Sequence, residues 1–120
     1  MYTTANVTLM VRDMDRSVRF YTEALGLPLK VRHGDFWAEV QAPGVLIGLH
    51  PAGDTPPSPP ANDAVTIGLL VQDFERAVAD LRGRGVTFTQ VTDGGRAKSA
   101  YFADPDGVPL YVMWRAEGGH

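Results

Sequence analysis

The sequence predicts an α+β chain made of two tandem β-α-β-β-β modules that share one sheet, with a cleft between the halves. Three observations predict it. Residues 6–14, Asn-Val-Thr-Leu-Met-Val-Arg-Asp-Met, return sixty positions later as residues 66–74, Thr-Ile-Gly-Leu-Leu-Val-Gln-Asp-Phe. At that offset Val11 matches Val71, Asp13 matches Asp73, Arg16 matches Arg76 and Val18 matches Val78. A repeat at half the length of a 120-residue chain indicates two copies of one supersecondary unit. Within each copy, one stripe of helical period stands among short strand-like runs. A proline-rich stretch separates the copies.

Residues 5–11 read as a strand rich in β-branched side chains. Asp13 is placed to cap a helix, because its carboxylate can accept from the free amides of the first turn. Met14, Val18, Tyr21 and Leu25 follow at i, i+4, i+7 and i+11, one apolar stripe of a helix. Gly26 is a C-terminal stop. Residues 27–31, 36–40 and 45–50 read as strands, with Pro28 near the start of the first and turns at 33–35 and 42–44. Residues 51–62 hold Pro51, Pro56, Pro57, Pro59 and Pro60 and read as a linker.

The second half replays this plan. Residues 64–71 are a strand, and Asp73 caps a helix striped by Phe74, Val78 and Leu81 that Gly83 and Gly85 end. Strands are expected at 86–91, 98–103 and 108–114, with turns at 92–95 and at Asp104-Pro105-Asp106-Gly107. The expected division is a single domain over 1–120: module one at 1–50, the linker at 51–62, module two at 63–115 and a frayed tail at 116–120.

Composition narrows the function classes. Net charge is -3 without a basic run, so no nucleic-acid partner is expected. No apolar stretch approaches the roughly 20 residues of a membrane span. No secretory signal is visible, and with no cysteine there is neither a disulfide nor a thiolate site. The expected location is the cytoplasm.

The run from Val11 to Leu27, Val-Arg-Asp-Met-Asp-Arg-Ser-Val-Arg-Phe-Tyr-Thr-Glu-Ala-Leu-Gly-Leu, closely resembles the first module of the vicinal-oxygen-chelate superfamily. That superfamily includes glyoxalase I, extradiol dioxygenases, fosfomycin-resistance enzymes and bleomycin-resistance binding proteins. Phe102-Ala103-Asp104-Pro105-Asp106-Gly107-Val108-Pro109-Leu110 resembles the matching end of the second module. The resemblance spans nearly the whole chain. It implies a curved eight-stranded mixed sheet around a cleft, with the helices outside. It also implies a homodimer, sometimes with modules exchanged. In metal-using members, four side chains from the first and last strands of each module enter the cleft. They are usually His, Glu or Gln.

Carried onto this chain, those four positions fall at Asn6, Gly48, Thr66 and Tyr111. Glycine offers no ligand, and a hydroxyl, an amide and a neutral phenol are poor substitutes for imidazole or carboxylate. No cofactor is therefore expected and a divalent metal is disfavoured. His33, His50 and Glu39 are a further metal candidate that nothing in their spacing requires.

Strand alternation identifies what lines the cleft instead. Asn6, Thr8 and Met10 share a face, as do Leu46, Gly48 and His50, then Thr66, Gly68 and Leu70, then Pro109, Tyr111 and Met113. Val7, Leu9, Val11, Ile67, Leu69 and Val71 take the opposite faces and suit packing under the helices. Trp37 and Glu39 alternate with Phe36, Ala38 and Val40, and either set can face the cleft. The expected ligand-binding residues are Asn6, Thr8, Met10, Trp37, Leu46, Gly48, His50, Thr66, Gly68, Leu70, Tyr111 and Met113. Such apolar walls with a few polar groups suit a small molecule. Met10 and Met113 equally suit gap-filling in a core. His50 suits general acid/base work, or a hydrogen bond to the linker backbone. Arg96, Lys98 and Tyr101 are placed near the rim.

Three functions remain open. One is a metal-independent protein that binds a small apolar or aromatic molecule. Another is a lyase, isomerase or dioxygenase-type enzyme using His50 or a non-standard metal site. The last is an interaction protein whose cleft is filled by its own side chains.

Overall fold

The computed structural model describes residues 1, 3–52 and 65–116. The chain divides into two units, Met1–Pro60 and Ala61–His120. Each holds one copy of the repeat.

In the first unit the order is β1 (Asn6–Val11), α1 (Met14–Arg19) prolonged by a π-helical turn over Phe20–Ala24, β2 (Leu29–His33), β3 (Trp37–Ala42) and β4 (Val45–Pro51). The sheet runs β1-β4-β3-β2, with β1 parallel to β4 and the other pairs antiparallel. In the second unit the order is β5 (Ile67–Leu70), α2 (Phe74–Gly83), β6 (Gln90–Asp93), β7 (Ala97–Ala103) and β8 (Pro109–Arg115). That sheet repeats the plan as β5-β8-β7-β6, with β5 parallel to β8. The hydrogen bonding of the eight strands is thus contained in two four-stranded mixed sheets. Among the described residues no helix is long and apolar enough to cross a membrane.

The two helix starts form as their sequence dictates. Asp13 Oδ1 accepts from the Arg16 amide at 3.1 Å, and Asp73 Oδ1 accepts from the Arg76 amide at 3.1 Å. The stripes Met14, Val18 and Tyr21, then Phe74, Val78 and Leu81, are buried. In the first sheet Leu9, Val11, Ala38, Val40, Ile47 and Leu49 are buried, and in the second Ile67, Ala100, Phe102, Leu110 and Val112 are. α1 packs on β4 and α2 packs on β8. Each unit therefore has its own apolar layer between one helix and one sheet face. Val7 departs from expectation. It has the alternation of Leu9 and Val11 but stays 36% exposed.

The helices end differently. Leu25 N donates to Phe20 O at 3.0 Å, a bond five residues back, whereas α2 is α-helical throughout. The left-handed glycines that stop them are Gly26 (φ 75°) and Gly85 (φ 95°), 59 positions apart rather than sixty. Beyond them, Leu27 N donates to Tyr21 O and Val86 N donates to Leu81 O, each at 3.0 Å. Tyr21 and Leu81 still keep the sixty-residue offset. One extra residue thus lies between Tyr21 and Gly26, and the helix absorbs it as a π turn. The Thr22 hydroxyl supports that turn by donating to Val18 O at 2.6 Å.

Strand bounds differ from expectation in places. Pro51 ends β4 instead of opening the linker, because Ala52 N donates to Val11 O at 2.7 Å and extends the parallel ladder. The rest of the expected linker, like Ala64 and the end of the tail, lies outside the described residues. Residues 86–88 are not strand. The Val86 amide is committed to the end of α2, and Phe88 stacks edge-on against Phe102 at 5.5 Å. The Asp104–Gly107 turn forms as expected. Asp104 Oδ1 accepts from the amides of Asp106 and Val108, each at 2.8 Å, and Gly107 has φ 86°. Turn formation accounts for this carboxylate.

Matching ion pairs tie each helix start to the neighbouring hairpin. Arg32 of β2 reaches Asp15 at 2.6 Å and Asp35 at 3.3 Å. Lys98 of β7 reaches Glu75 at 2.7 Å and Asp93 at 3.9 Å. Hydrogen bonds from Arg32 and Lys98 hold the carboxyls of Asp15 and Glu75 below their ordinary values of 3.8 and 4.5. A lowered folded-state pKa stabilises the fold above the ordinary value, and that gain disappears as pH falls through the folded-state value. Wild type is therefore expected to melt slightly above the Asp15→Asn, Glu75→Gln double variant at pH 7. The gap should close in acid and shrink in salt, since both pairs are solvent-screened. Thermal melts from pH 7 to pH 2 check this. A gap that widens in acid would refute it.

Candidate functional site

Because each sheet gives one face to its helix, strand alternation leaves the other face open. In the first unit the register aligns Asn6 with Leu46, Thr8 with Gly48 and Met10 with His50 across β1 and β4. Glu39 of β3 pairs with Gly48. This settles the orientation of β3: Ala38 and Val40 are fully buried, while Trp37 and Glu39 stand on the open face. Trp37 occupies the space above Gly48. A Cβ added there would stand 2.8 Å from Trp37 Cζ2 and 3.2 Å from Asn6 Nδ2. Gly48 itself is buried beneath the ring.

The polar groups around the indole have partners of their own. Trp37 Nε1 donates to Glu39 Oε2 at 2.8 Å. Asn6 Nδ2 donates to Thr8 Oγ1 at 3.0 Å. The His50 ring is tilted at 70° to the indole, with centroids 6.3 Å apart. Its Nδ1 lies 2.8 Å from Pro51 O. A carbonyl can only accept, so Nδ1 carries the proton in the neutral ring and Nε2 holds the lone pair. Met10 is 44% exposed and Leu46 half-buried.

The second unit builds a comparable face from other residues. Gly68 pairs with Tyr111 and Leu70 with Met113 across β5 and β8. The Tyr111 ring lies over Gly68, where an added Cβ would stand 2.7 Å from Tyr111 Cε2. Tyr101 of β7 pairs with Tyr111, their ring centroids 5.7 Å apart. Leu70 is 58% exposed and Tyr101 41% exposed. Thr66 Oγ1 donates to Pro109 O at 3.0 Å.

The expected residues thus fall into two sets. Asn6, Thr8, Met10, Trp37, Leu46, Gly48 and His50 share the first open face, and Thr66, Gly68, Leu70, Tyr111 and Met113 belong to the second. Glu39 and Tyr101 join them from outside the expected set. The signal for Tyr101 was its pairing with Tyr111, which alternation alone does not supply. Lys98 is a correction: it does not stand at a rim. Its ammonium binds Glu75 and sits 5.5 Å from the Trp114 ring.

At the positions where the resemblance puts metal ligands, the donors present do not suit a divalent ion. In the first unit the Asn6 amide nitrogen is bonded to Thr8, and the Trp37 ring lies over Gly48, which has no side chain. In the second, the Thr66 hydroxyl is bonded to a backbone carbonyl and Tyr111 offers a phenol. Among the described residues no group of three His, Cys, Asp or Glu side chains is arranged to hold a metal ion.

The family model for the glyoxalase/bleomycin resistance protein/dioxygenase superfamily matches residues 3–112. A glyoxalase/bleomycin resistance protein/dioxygenase from Nocardioides is 28% identical, over 99% of this chain and 87% of that one, with a TM-score of 0.78. TnmS3, an antibiotic binding protein from Streptomyces sp. CB03234, is 23% identical over 97% of this chain and 98% of that one, with a TM-score of 0.74. A lactoylglutathione lyase from Agrobacterium tumefaciens is 15% identical over 93% and 92%, with a TM-score of 0.72. The last two likenesses establish the fold alone, and they join a binding protein and an enzyme on one architecture.

Proposed function

Since the chain belongs to the glyoxalase/bleomycin resistance protein/dioxygenase superfamily, we propose that it is a metal-independent member that binds a small apolar or aromatic molecule. The observation that carries this reading is the seating of an aromatic ring over a strand glycine on each open face, Trp37 over Gly48 and Tyr111 over Gly68. An aromatic ring on such a face can stack with a planar ligand, an interaction worth about 0.5–1.5 kcal/mol beyond area burial. Exposed Met10, Leu70 and Tyr101 add adaptable apolar surface beside these rings. The resemblance to an antibiotic binding protein fits the same reading.

A thermal-shift panel of planar aromatic compounds tests it. Ligand at 100 times its Kd stabilises the folded state by about 2.7 kcal/mol, a rise on the order of 10 °C for a chain of this size. Trp37→Ala and Tyr111→Ala are each expected to weaken the response about tenfold. A panel without any response, or responses unchanged in both variants, would remove the reading.

The geometry of His50 favours one alternative. With Nδ1 fixed by Pro51 O, its Nε2 lone pair is available as a general base on the open face. Such a lyase or isomerase is expected to lose about 10²–10⁴-fold in turnover in His50→Ala and to run in the presence of a chelator. Turnover indifferent to His50 excludes it.

A further inference from the structure

We infer that the ligand of the first open face is a planar aromatic cation, a quinolinium- or acridinium-type ring, selected by Glu39. The inference rests on the binding function proposed above and adds the charge of the ligand. Glu39 is half-buried and its only hydrogen bond among the described residues is the one Oε2 accepts from Trp37 Nε1. Its other oxygen is left for a ligand. Among the described residues Glu39 makes no ion pair. On the neighbouring strand β2, Arg32 has the opposite alternation and is bound to Asp15 and Asp35 on the helix side. Val31 is the residue that pairs with Glu39, and the other basic residues of β2, Lys30 at the bulge and His33 opposite Trp37, form no ion pair with Glu39 among the described residues. A partly desolvated carboxylate without a counterion attracts a cation more strongly than one in water.

The same hydrogen bond acts on the indole. Donation from Nε1 to an anion polarises the ring system and makes its π face more negative. Tryptophan is already the best of the aromatic side chains at holding a cation over its face. The neighbours are compatible with this charge. Asn6, Thr8, Leu46 and Met10 carry none, and the soft thioether of Met10 stands 44% exposed across from His50. A flat cation lying on Trp37 would meet the indole face below, the Glu39 carboxylate at one edge and the His50 ring at 70° beyond. A planar anion would meet the same carboxylate and be repelled.

Three probes of nearly one shape test the inference: N-methylquinolinium (cation), 1-methylnaphthalene (neutral) and 1-naphthoate (anion). Trp37 and Trp114 are the two tryptophans, so the Trp114→Phe protein reports on Trp37 through its fluorescence. The cation is expected to bind about tenfold more tightly than the neutral probe, and the anion more weakly than both. Glu39→Gln keeps an acceptor for the indole N–H and removes the charge. It should bring the cation within about twofold of the neutral probe. Glu39→Lys should invert the order in favour of the anion, which keeps the test intact should one variant fold poorly. A cation that binds no better than the neutral probe in the unmutated site overturns the inference, as does a preference that survives Glu39→Gln. If the neutral probe binds and no charge preference is seen, this inference fails and the binding function stands. If none of the three quenches Trp37, both fail.

Discussion

Tyr21→Ala is expected to lower the unfolding free energy by about 3–5 kcal/mol, the range for removing a buried aromatic ring. Among the described residues Tyr21 is the largest side chain with no exposed surface, and it lies on the stripe through which α1 meets its sheet. Its ring packs edge-on against Phe20, with centroids 5.2 Å apart. Its carbonyl receives the Leu27 amide just beyond the π turn. Truncation therefore opens a cavity where the helix turn is already irregular and has little freedom to collapse inward. Native proteins have about 5–15 kcal/mol to lose, so the variant should sit near the edge of folding. Urea unfolding at 25 °C measures it. A loss below about 1 kcal/mol would mean that the ring is not held as described.

Gly48→Val is expected to act on the open face while largely sparing the fold. Gly48 does not have positive φ, so the strand backbone would accept a β-branched residue. The obstacle is the indole of Trp37, which occupies the place a Cβ would take. Valine must push the ring away, break its bond to Glu39 and remove the stacking platform. The cost in stability is expected to be about 1–3 kcal/mol, as for other overpacked sites. The cost in aromatic binding is expected to be at least tenfold, with a red-shifted Trp37 emission as the ring enters water. Unchanged emission and unchanged affinity together would show that the glycine is not the seat of the ring. Tyr21→Ala and Gly48→Val thus separate the two faces of one sheet: the first acts through stability, the second through the ligand.

Part of this architecture was legible residue by residue. Asp13 and Asp73 were readable as caps because a cap is local: the carboxylate reaches an amide three residues on, whatever the rest of the chain does. The stripes Met14-Val18-Tyr21 and Phe74-Val78-Leu81 were readable because helical period is written in spacing. The π turn was less so. Its trace, stop glycines 59 apart beside stripes sixty apart, is in the sequence. Whether a helix absorbs an extra residue or a loop does is decided by what holds the two ends, here buried Tyr21 and the left-handed Gly26.

The site divides along the same line. Alternation along each strand was enough to sort residues between two faces, since successive side chains must point to opposite sides. Alternation could not say which face of β3 is open, because Trp37 and Ala38 are each compatible with either. That choice came from the pairing of Glu39 with Gly48, a contact between strands that local propensity does not encode. Gly48 could likewise be read as a residue without a side chain, and hence without a metal ligand. Only the packed sheet shows that an indole fills the space it leaves, and that the nitrogen of that indole is bound to Glu39. The sequence by itself determined the repeat and the family, because these depend on residue identity and spacing. The tertiary structure decided which side chains share a surface and that Glu39 makes no ion pair among the described residues, because these depend on register between strands that the chain's local interactions leave free.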